Sequence, residues 1–334
     1  MLVITCGDIA AGQLAEAGAA TEPALVWRDL LHEGPVPAGT DAAGLRAARA
    51  RFAADAGWAP YDAVLADYEA RDARVAALGP GDRVLLCFDR NLVNQLQLVQ
   101  LLAVVPDHAE AELLEVSELG GATPAELAAA PRRPVGPPER ALGRAAWSAL
   151  RGPDPTAIEQ LLPDTGTGPL PALGPALRRF LAGYPGAGDG LSLTQRRALA
   201  AAPGTFAELF EAVAAQEDHR FLGDTLFRAE LDDLTWAAVP LLTGPPPRVP
   251  GPLPRVPGRP PREAAPDPAP TGPLGPGLPA GPEDRWRLTA AGADVLAGRA
   301  DHVALNGIDR WLGGVHLHGR SAAWRWTGSA LQPG

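Results

Sequence analysis

The sequence predicts an α/β protein with a doubly wound, mainly parallel sheet at the N-terminus, followed by a helical linker and a winged-helix-like C-terminal domain. Three observations predict it. Short apolar runs alternate with helical periodicity through residues 1–121. Three helical segments and then two strand segments follow from residue 190 onward. A stretch dominated by Pro and Gly, residues 244–284, separates those last two strands.

The elements follow in order. MLVITC (1–6) is an apolar strand that ends at Gly7-Asp8, and AAGQLAEAG then takes helical spacing. ALVW (24–27) is a second strand. GLRAARARFAADAG and YDAVLADYEARDARVAAL repeat apolar residues every three or four positions, so both are helices. GPGDRVLLCF leads into a strand that is apolar throughout, as a central parallel position requires. NLVNQLQLVQLLAVV is an amphipathic helix and AELLEVSEL the next strand, which completes a Rossmann-like domain over 1–121. Residues 122–140 are rich in Pro and Ala and are expected to be a linker, with helices around 140–162 and 170–183.

Residues 186–334 form the last expected domain. LSLTQRRALAAA, TFAELFEAVAAQ (Thr205 as N-cap) and GDTLFRAELDDLTWA are helices. PLL and the start of WRLTAAGADVLAG are strands. That is the order of a winged helix-turn-helix, and RLTAAG resembles the hairpin-to-helix junction of winged-helix bacterial regulators. Residues 244–284 are expected to be a disordered insert at the wing tip, because proline removes the donors that a ladder needs.

Composition narrows the function classes. A chain of 334 residues with 46% hydrophobic content supports two domains or one large one. There is no lysine, so all 29 basic residues are Arg, and with abundant Ala, Gly and Pro this reads as GC-rich codon bias. A net charge of −10 argues against a general nucleic-acid binder. Cys6 and Cys87 are expected to be reduced thiols in buried strands. No apolar run reaches the roughly 18 residues that span a bilayer, and no leader pattern precedes the first strand, so a cytoplasmic protein without membrane contact is expected.

Four groups carry candidate chemistry. Gly7-Asp8 ends strand one, at the edge where open α/β sheets bind ligands, and Asp8 serves either as a helix cap or as a ligand contact. WRDLLHEGPVP (27–37) follows strand two. There Arg28 suits a phosphate or carboxylate, His32 suits acid–base work, and Asp29 or Glu33 suits orienting the imidazole or helping to hold a metal. The bland alternative is an Arg28–Asp29–Glu33 surface network beside a stiff turn. The third group, CFDRNLVNQLQL, places Asp89 at a strand end and Asn91, Asn94 and Gln95 in the first helical turn, where Asn91 also fits an N-cap. The fourth, GIDRWLGGVHLHGRSAAWRW, is an antiparallel hairpin. Its Asp309, Arg310, Trp311 and His316 are expected to close over the N-terminal pocket or to meet another protomer. The alternation of Trp324 and Trp326 there equally fits sheet packing. The catalytic candidates are thus His32, Glu33 and Asp89, and the others are ligand-binding candidates. No nucleotide fingerprint, zinc spacing or other cofactor motif is present, so cofactor and metal stay unassigned.

The GD turn at 7–8, WRDLLHEGPVP, FDRNLVNQLQL, FLGDTLF (221–227) and DRWLGGVHL (309–317) together resemble a bacterial family known as domain of unknown function 1835, with its accompanying C-terminal domain. The resemblance covers most of the chain outside the Pro-rich insert. It implies that these stretches recur as units, and it supplies no catalytic residues, since the family has no assigned reaction. The family pattern carries acids more often where this chain has Asn91 and Asn94, and Ser where it has Ile9. If those acids act on metal or substrate, the resemblance implies a weakened site here.

The favoured function is binding of a small anionic, nucleotide-like ligand at the carboxyl edge of the sheet, with hydrolysis or transfer left open. The alternatives are a ligand-sensing transcriptional regulator and a non-catalytic adaptor with a protein partner or a second copy. The third helix of the winged unit carries Asp224, Glu230, Asp232 and Asp233 against Arg228, which argues against direct reading of DNA.

Overall fold

The computed structural model describes residues 1–19, 22–165, 168–246 and 284–334, leaving out the side chains of 163–165. The first unit runs β1 (Leu2–Thr5), α1 (Asp8–Glu16), β2 (Leu25–Val26), β3 (Gly34–Pro35), α2 (Ala42–Asp55), α3 (Tyr61–Ala76), β4 (Arg83–Cys87), α4 (Leu92–Val104) and β5 (Glu110–Leu114). Strands β2, β1, β4 and β5 lie side by side and parallel. Alternation along the strands explains the two layers. Ile4, Val84 and Leu86 face the larger core, with Trp27, Leu96 and Phe180, while Val3, Leu85 and Cys87 face a smaller one with Leu14 and Leu127.

The expected linker at 122–140 is largely structured. It holds α5 (Pro124–Ala129), started by a capping box between Thr123 and Glu126, and β6 (Arg132–Pro134), which joins the sheet antiparallel to β5. Proline fits here because it sits at the first helical turn and on an edge strand, the two places where its missing N–H is tolerated. Helices α6 (Pro137–Arg151), α7 (Thr156–Thr165) and α8 (Leu173–Leu181) follow. Helix α4 is covered by α6 and α8 as well as by the sheet, so residues Leu92 to Leu102 are buried all round.

The next unit has its own core. It comprises α9 (Leu193–Ala201), β7 (Gly204–Thr205), α10 (Phe206–Ala214), α11 (Asp224–Trp236), β8 (Leu242–Thr243), β9 (Arg285–Leu288) and α12 (Ala290–Leu296). Leu199, Leu209, Phe227, Leu231, Trp286 and Val295 fill that core, and the strands pair in the order β7-β9-β8. Most of the insert expected at 244–284 lies outside the described residues.

The chain ends with α13 (His302–Asn306), β10 (Ile308–Gly313), β11 (Val315–Gly319), β12 (Trp324–Trp326) and β13 (Leu331–Pro333). The expected β10–β11 hairpin is present, and β12 pairs with β13. One pairing was not foreseen. Strand β3, inside WRDLLHEGPVP, runs parallel to β10, inside DRWLGGVHL, with Gly34 opposite Leu312 and Pro35 opposite Gly313. Two glycines permit it: a Cβ on Gly34 would lie 2.5 Å from the Phe52 ring, and one on Gly313 would lie 2.2 Å from the Leu150 carbonyl oxygen.

Cys87 is buried in β4, but Cys6 lies one residue beyond the end of β1 and is only half-buried; both thiols are free. Among the described residues no helix is long and apolar enough to cross a membrane.

Candidate functional site

Parallel strands β1, β2 and β4 bring the first three sequence groups to one sheet edge, yet they separate there. Gly7, not Asp8, caps α1, so Asp8 is an exposed first-turn residue without a capping bond. Its carboxylate is paired with the Arg28 guanidinium, which also approaches Asp67 at 3.4 Å. These residues border a groove of about 690 Å³ beside edge strand β2, where Asp8, Glu22 and Asp67 balance Arg28, Arg71 and Arg74.

The expected Arg28–Asp29–Glu33 surface network does not form. Asp29 points inward and accepts from Arg49 at 2.6 and 3.0 Å, with both side chains buried. Arg49 also donates to the carbonyls of Leu30, Glu33 and Pro35, which locks the loop. The carbonyl of Asp29 receives the Gln97 amide at 2.6 Å. Glu33 instead meets Arg310 of β10 at 2.5 Å, and Glu230 of α11 shares that guanidinium at 3.1 Å. Asp233, one turn along α11, has its carboxyl pushed up to about 8, by burial first and then by Glu230. Four ionisable groups from three distant segments thus form a seam between the sheet unit and the helical unit.

His32 sits beside this seam. It is 5% exposed, its ring meets Phe221 edge-on at 5.5 Å, and neither ring nitrogen has a hydrogen-bond partner. Burial, followed by the nearby Arg310, Arg179 and Arg49, draws its pKa down to about 3, so the imidazole is neutral. Neither Asp29 nor Glu33 orients it through a hydrogen bond.

At the third junction the amides serve the helix start. Asn91 caps α4 by accepting the Asn94 N–H at 2.9 Å, and Gln95 donates to the Asp89 carbonyl at 2.6 Å. The Asp89 carboxylate accepts the N–H groups of Asn91 and Leu119, each at 3.1 Å. Burial raises its pKa, these backbone bonds oppose the rise, and His219 on the facing loop opposes it too. The junction nevertheless opens onto a cleft of about 930 Å³. Arg90 and Asn91 form one wall, Arg178 and Arg179 of α8 another, and Arg196 and Arg197 of α9 a third. The α10–α11 loop adds Glu217, Asp218, His219 and Phe221, and the end of β12 adds Trp326.

The five arginines differ in their partners. Arg196 pairs with Asp189 at 2.5 Å, and both Arg179 and Arg197 hold Glu217. Arg90 and Arg178 are exposed and make no hydrogen bond or ion pair among the described residues. Neither Arg90, Arg178 and Arg179 nor His219 was singled out in the sequence, and Trp326 stood there only as one of two alternating tryptophans that fit sheet packing. Arg90 stands inside FDRNL, but in a chain where Arg is the only strong base nothing marks it.

The fourth group divides by strand alternation. Arg310 points into the seam with Glu33, whereas Asp309, Trp311 and His316 share the opposite face of the hairpin, which is partly exposed. There His316 Nε2 meets Asp309 at 2.7 Å and its ring stacks on Trp311 at 4.5 Å. None of the three lines the cleft; the following hairpin, through Trp326, does so. Among the described residues no three His, Cys, Asp or Glu side chains are grouped to hold a metal ion. No protein-family model, no curated protein and no solved structure matches this chain.

Proposed function

We propose that the chain binds a small anionic, nucleotide-like ligand in the cleft at the carboxyl edge of its main sheet. One observation carries the reading: Arg90, just before the start of α4, and Arg178, on α8, are exposed and have no partner among the described residues, on walls of the same cleft. Unpaired guanidinium forks and helix-start N–H groups are both complementary to phosphate or carboxylate. The chain carries a net −10, yet this cleft is lined by five arginines against Glu217 and Asp218, so its local positive excess stands against the general charge of the protein. The cleft volume falls within the range of about 300–1,000 Å³ that suits small ligands. The half-buried indole of Trp326 offers an apolar wall for a ring.

This reading assigns binding to the cleft and no catalytic step to His32, which is neutral and enclosed behind Phe221. It treats the order α9, β7, α10, α11, β8, β9 as winged-helix-like and used for packing. In support, α11 gives Glu230 to Arg310, while its Arg228 is held by Asp232 at 2.9 Å. A helix so engaged has no basic face to offer a DNA groove. The resemblance to the family of domain of unknown function 1835 belongs to the same proposal.

The test is isothermal titration of the purified protein with inorganic phosphate, pyrophosphate and nucleoside phosphates, repeated on the double variant Arg90→Ala, Arg178→Ala. Binding that weakens by about a hundredfold or more in the variant is expected, since each charge-assisted bond contributes about 1.5–3 kcal/mol. Binding that persists undiminished, or no binding of any anion, sinks the reading.

A further inference from the structure

Inside the same cleft, the wall formed by α8 and α9 has the form of a phosphate cradle that already holds a carboxylate. Glu217 accepts from Arg179 Nε at 2.9 Å, from Arg179 Nη2 at 2.9 Å and from Arg197 Nη1 at 2.6 Å. Arg179 Nη2 also donates to the Thr194 hydroxyl at 2.7 Å. The Glu217 side chain is 4% exposed, so this is a desolvated anion site rather than a surface pair. The two cations stand on helices, whereas the anion stands on the α10–α11 loop between Ala214 and Asp224. The charges do not cancel: two guanidiniums face one carboxylate.

We propose that Arg179, Arg197 and Thr194 form a phosphoryl-binding subsite that Glu217 occupies from within, and that a phosphoryl group displaces Glu217 when it binds. The inference rests on the reading of the cleft as an anion site. A phosphate dianion matches the two guanidiniums in charge, and it accepts from both forks and from the hydroxyl of Thr194. A monoanionic carboxylate leaves one positive charge uncompensated. The same loop carries Phe221, which touches His32 with its ring and lies under the Arg179 guanidinium at 4.8 Å. Release of Glu217 therefore reaches the seam between the two units.

The experiment compares inorganic phosphate binding to the wild type, Glu217→Gln, and Glu217→Gln with Arg197→Ala, by calorimetry and by phosphate-dependent thermal shift at constant ionic strength. Glu217→Gln keeps the shape and removes the internal anion. The expected result is phosphate affinity raised by about tenfold or more in Glu217→Gln and lost again in the double variant. Equal affinity in Glu217→Gln and wild type overturns the proposal. If Glu217→Gln folds only in phosphate and not in chloride of equal ionic strength, the cradle accepts phosphate and the proposal stands. Failure to fold in either overturns it. Phosphate binding that depends on Arg90 and Arg178 but ignores Glu217 would leave the cleft reading intact and remove the plug. A gain in Glu217→Gln that survives loss of Arg90 and Arg178 would keep the plug and relocate the main site.

Discussion

The seam and the cleft are built from the same kinds of side chain and put them to different use. At the seam and in the buried side of the 27–37 loop beside it, the guanidiniums have their acids: Arg310 holds Glu33 and Glu230, and Arg49 holds Asp29. In the cleft, Arg90 and Arg178 have none and stay in contact with solvent. An arginine that folding has paired and buried is a structural element, because removing its partner leaves a charge in low dielectric. An unpaired arginine in a concave wall is available to a ligand. Residue type did not separate these roles; pairing did.

The largest effect should come from breaking the seam. Arg49→Met leaves the buried Asp29 carboxylate with only Arg71, 4.0 Å away, and frees three loop carbonyls, so unfolding free energy should drop by about 3 kcal/mol in urea titrations. A loss under about 1 kcal/mol would mean that the seam is not what holds the 27–37 loop. By contrast, removing Arg90 and Arg178 together should change stability by no more than about 0.5 kcal/mol while ligand affinity collapses. If stability fell as it does for Arg49, the two regions would not differ as described here.

A pH series sharpens the contrast, because Asp233 in the seam and the buried His32 and His302 are held far from their ordinary values. Asp233 is raised from 3.8 to about 8 in the folded chain, so the unfolded chain gives up that proton first. Stability from this group is complete below pH 4 and is lost as pH rises toward 8. His32 and His302 are lowered from 6.5 to about 3 and about 4, so their contribution is complete above pH 6.5 and is lost as pH falls. The melting temperature should therefore pass through a maximum around pH 6.5 and decline on the alkaline side because of Asp233. Asp233→Asn should flatten the decline above pH 6.5 and steepen the acid limb, where Asp233 opposes the two histidines; an unaltered alkaline slope in that variant would dismiss the assignment.

The smallest effect is expected at Arg28. Its contacts with Asp8 and Asp67 are half-exposed, so Arg28→Ala should change stability by less than about 0.5 kcal/mol. Anion binding in the cleft should be unaffected, which the same calorimetric titration reads directly. A large loss of binding would shift attention to the groove beside β2.

Much of the architecture was legible because local patterns carry it. Four parallel strands, the helices between them, the helical unit with its strand pair and the C-terminal hairpin all follow from periodicity and capping residues. The 122–140 segment was misread because its Pro and Ala content hid a capping box at Thr123 and an edge strand at Arg132–Pro134. The parallel pairing of β3 with β10 had no local signature, since two residues of Gly and Pro do not read as a strand.

The candidate site was legible only as an edge. The order of strands dictates that Asp8, Arg28 and Asp89 follow parallel strands and so lie at one end of the sheet. The sequence by itself also determines that Asn91 caps α4 and that Arg is the only strong base available for an anion. Only the tertiary structure decides which arginines are consumed. Arg49 and Asp29, 20 positions apart, cancel inside the core, and Arg310 crosses 277 positions to reach Glu33, while Arg90 and Arg178 line one cleft without an ion-pair partner among the described residues. Charge compensation depends on distance in space, and a guanidinium's partner can lie anywhere along the chain.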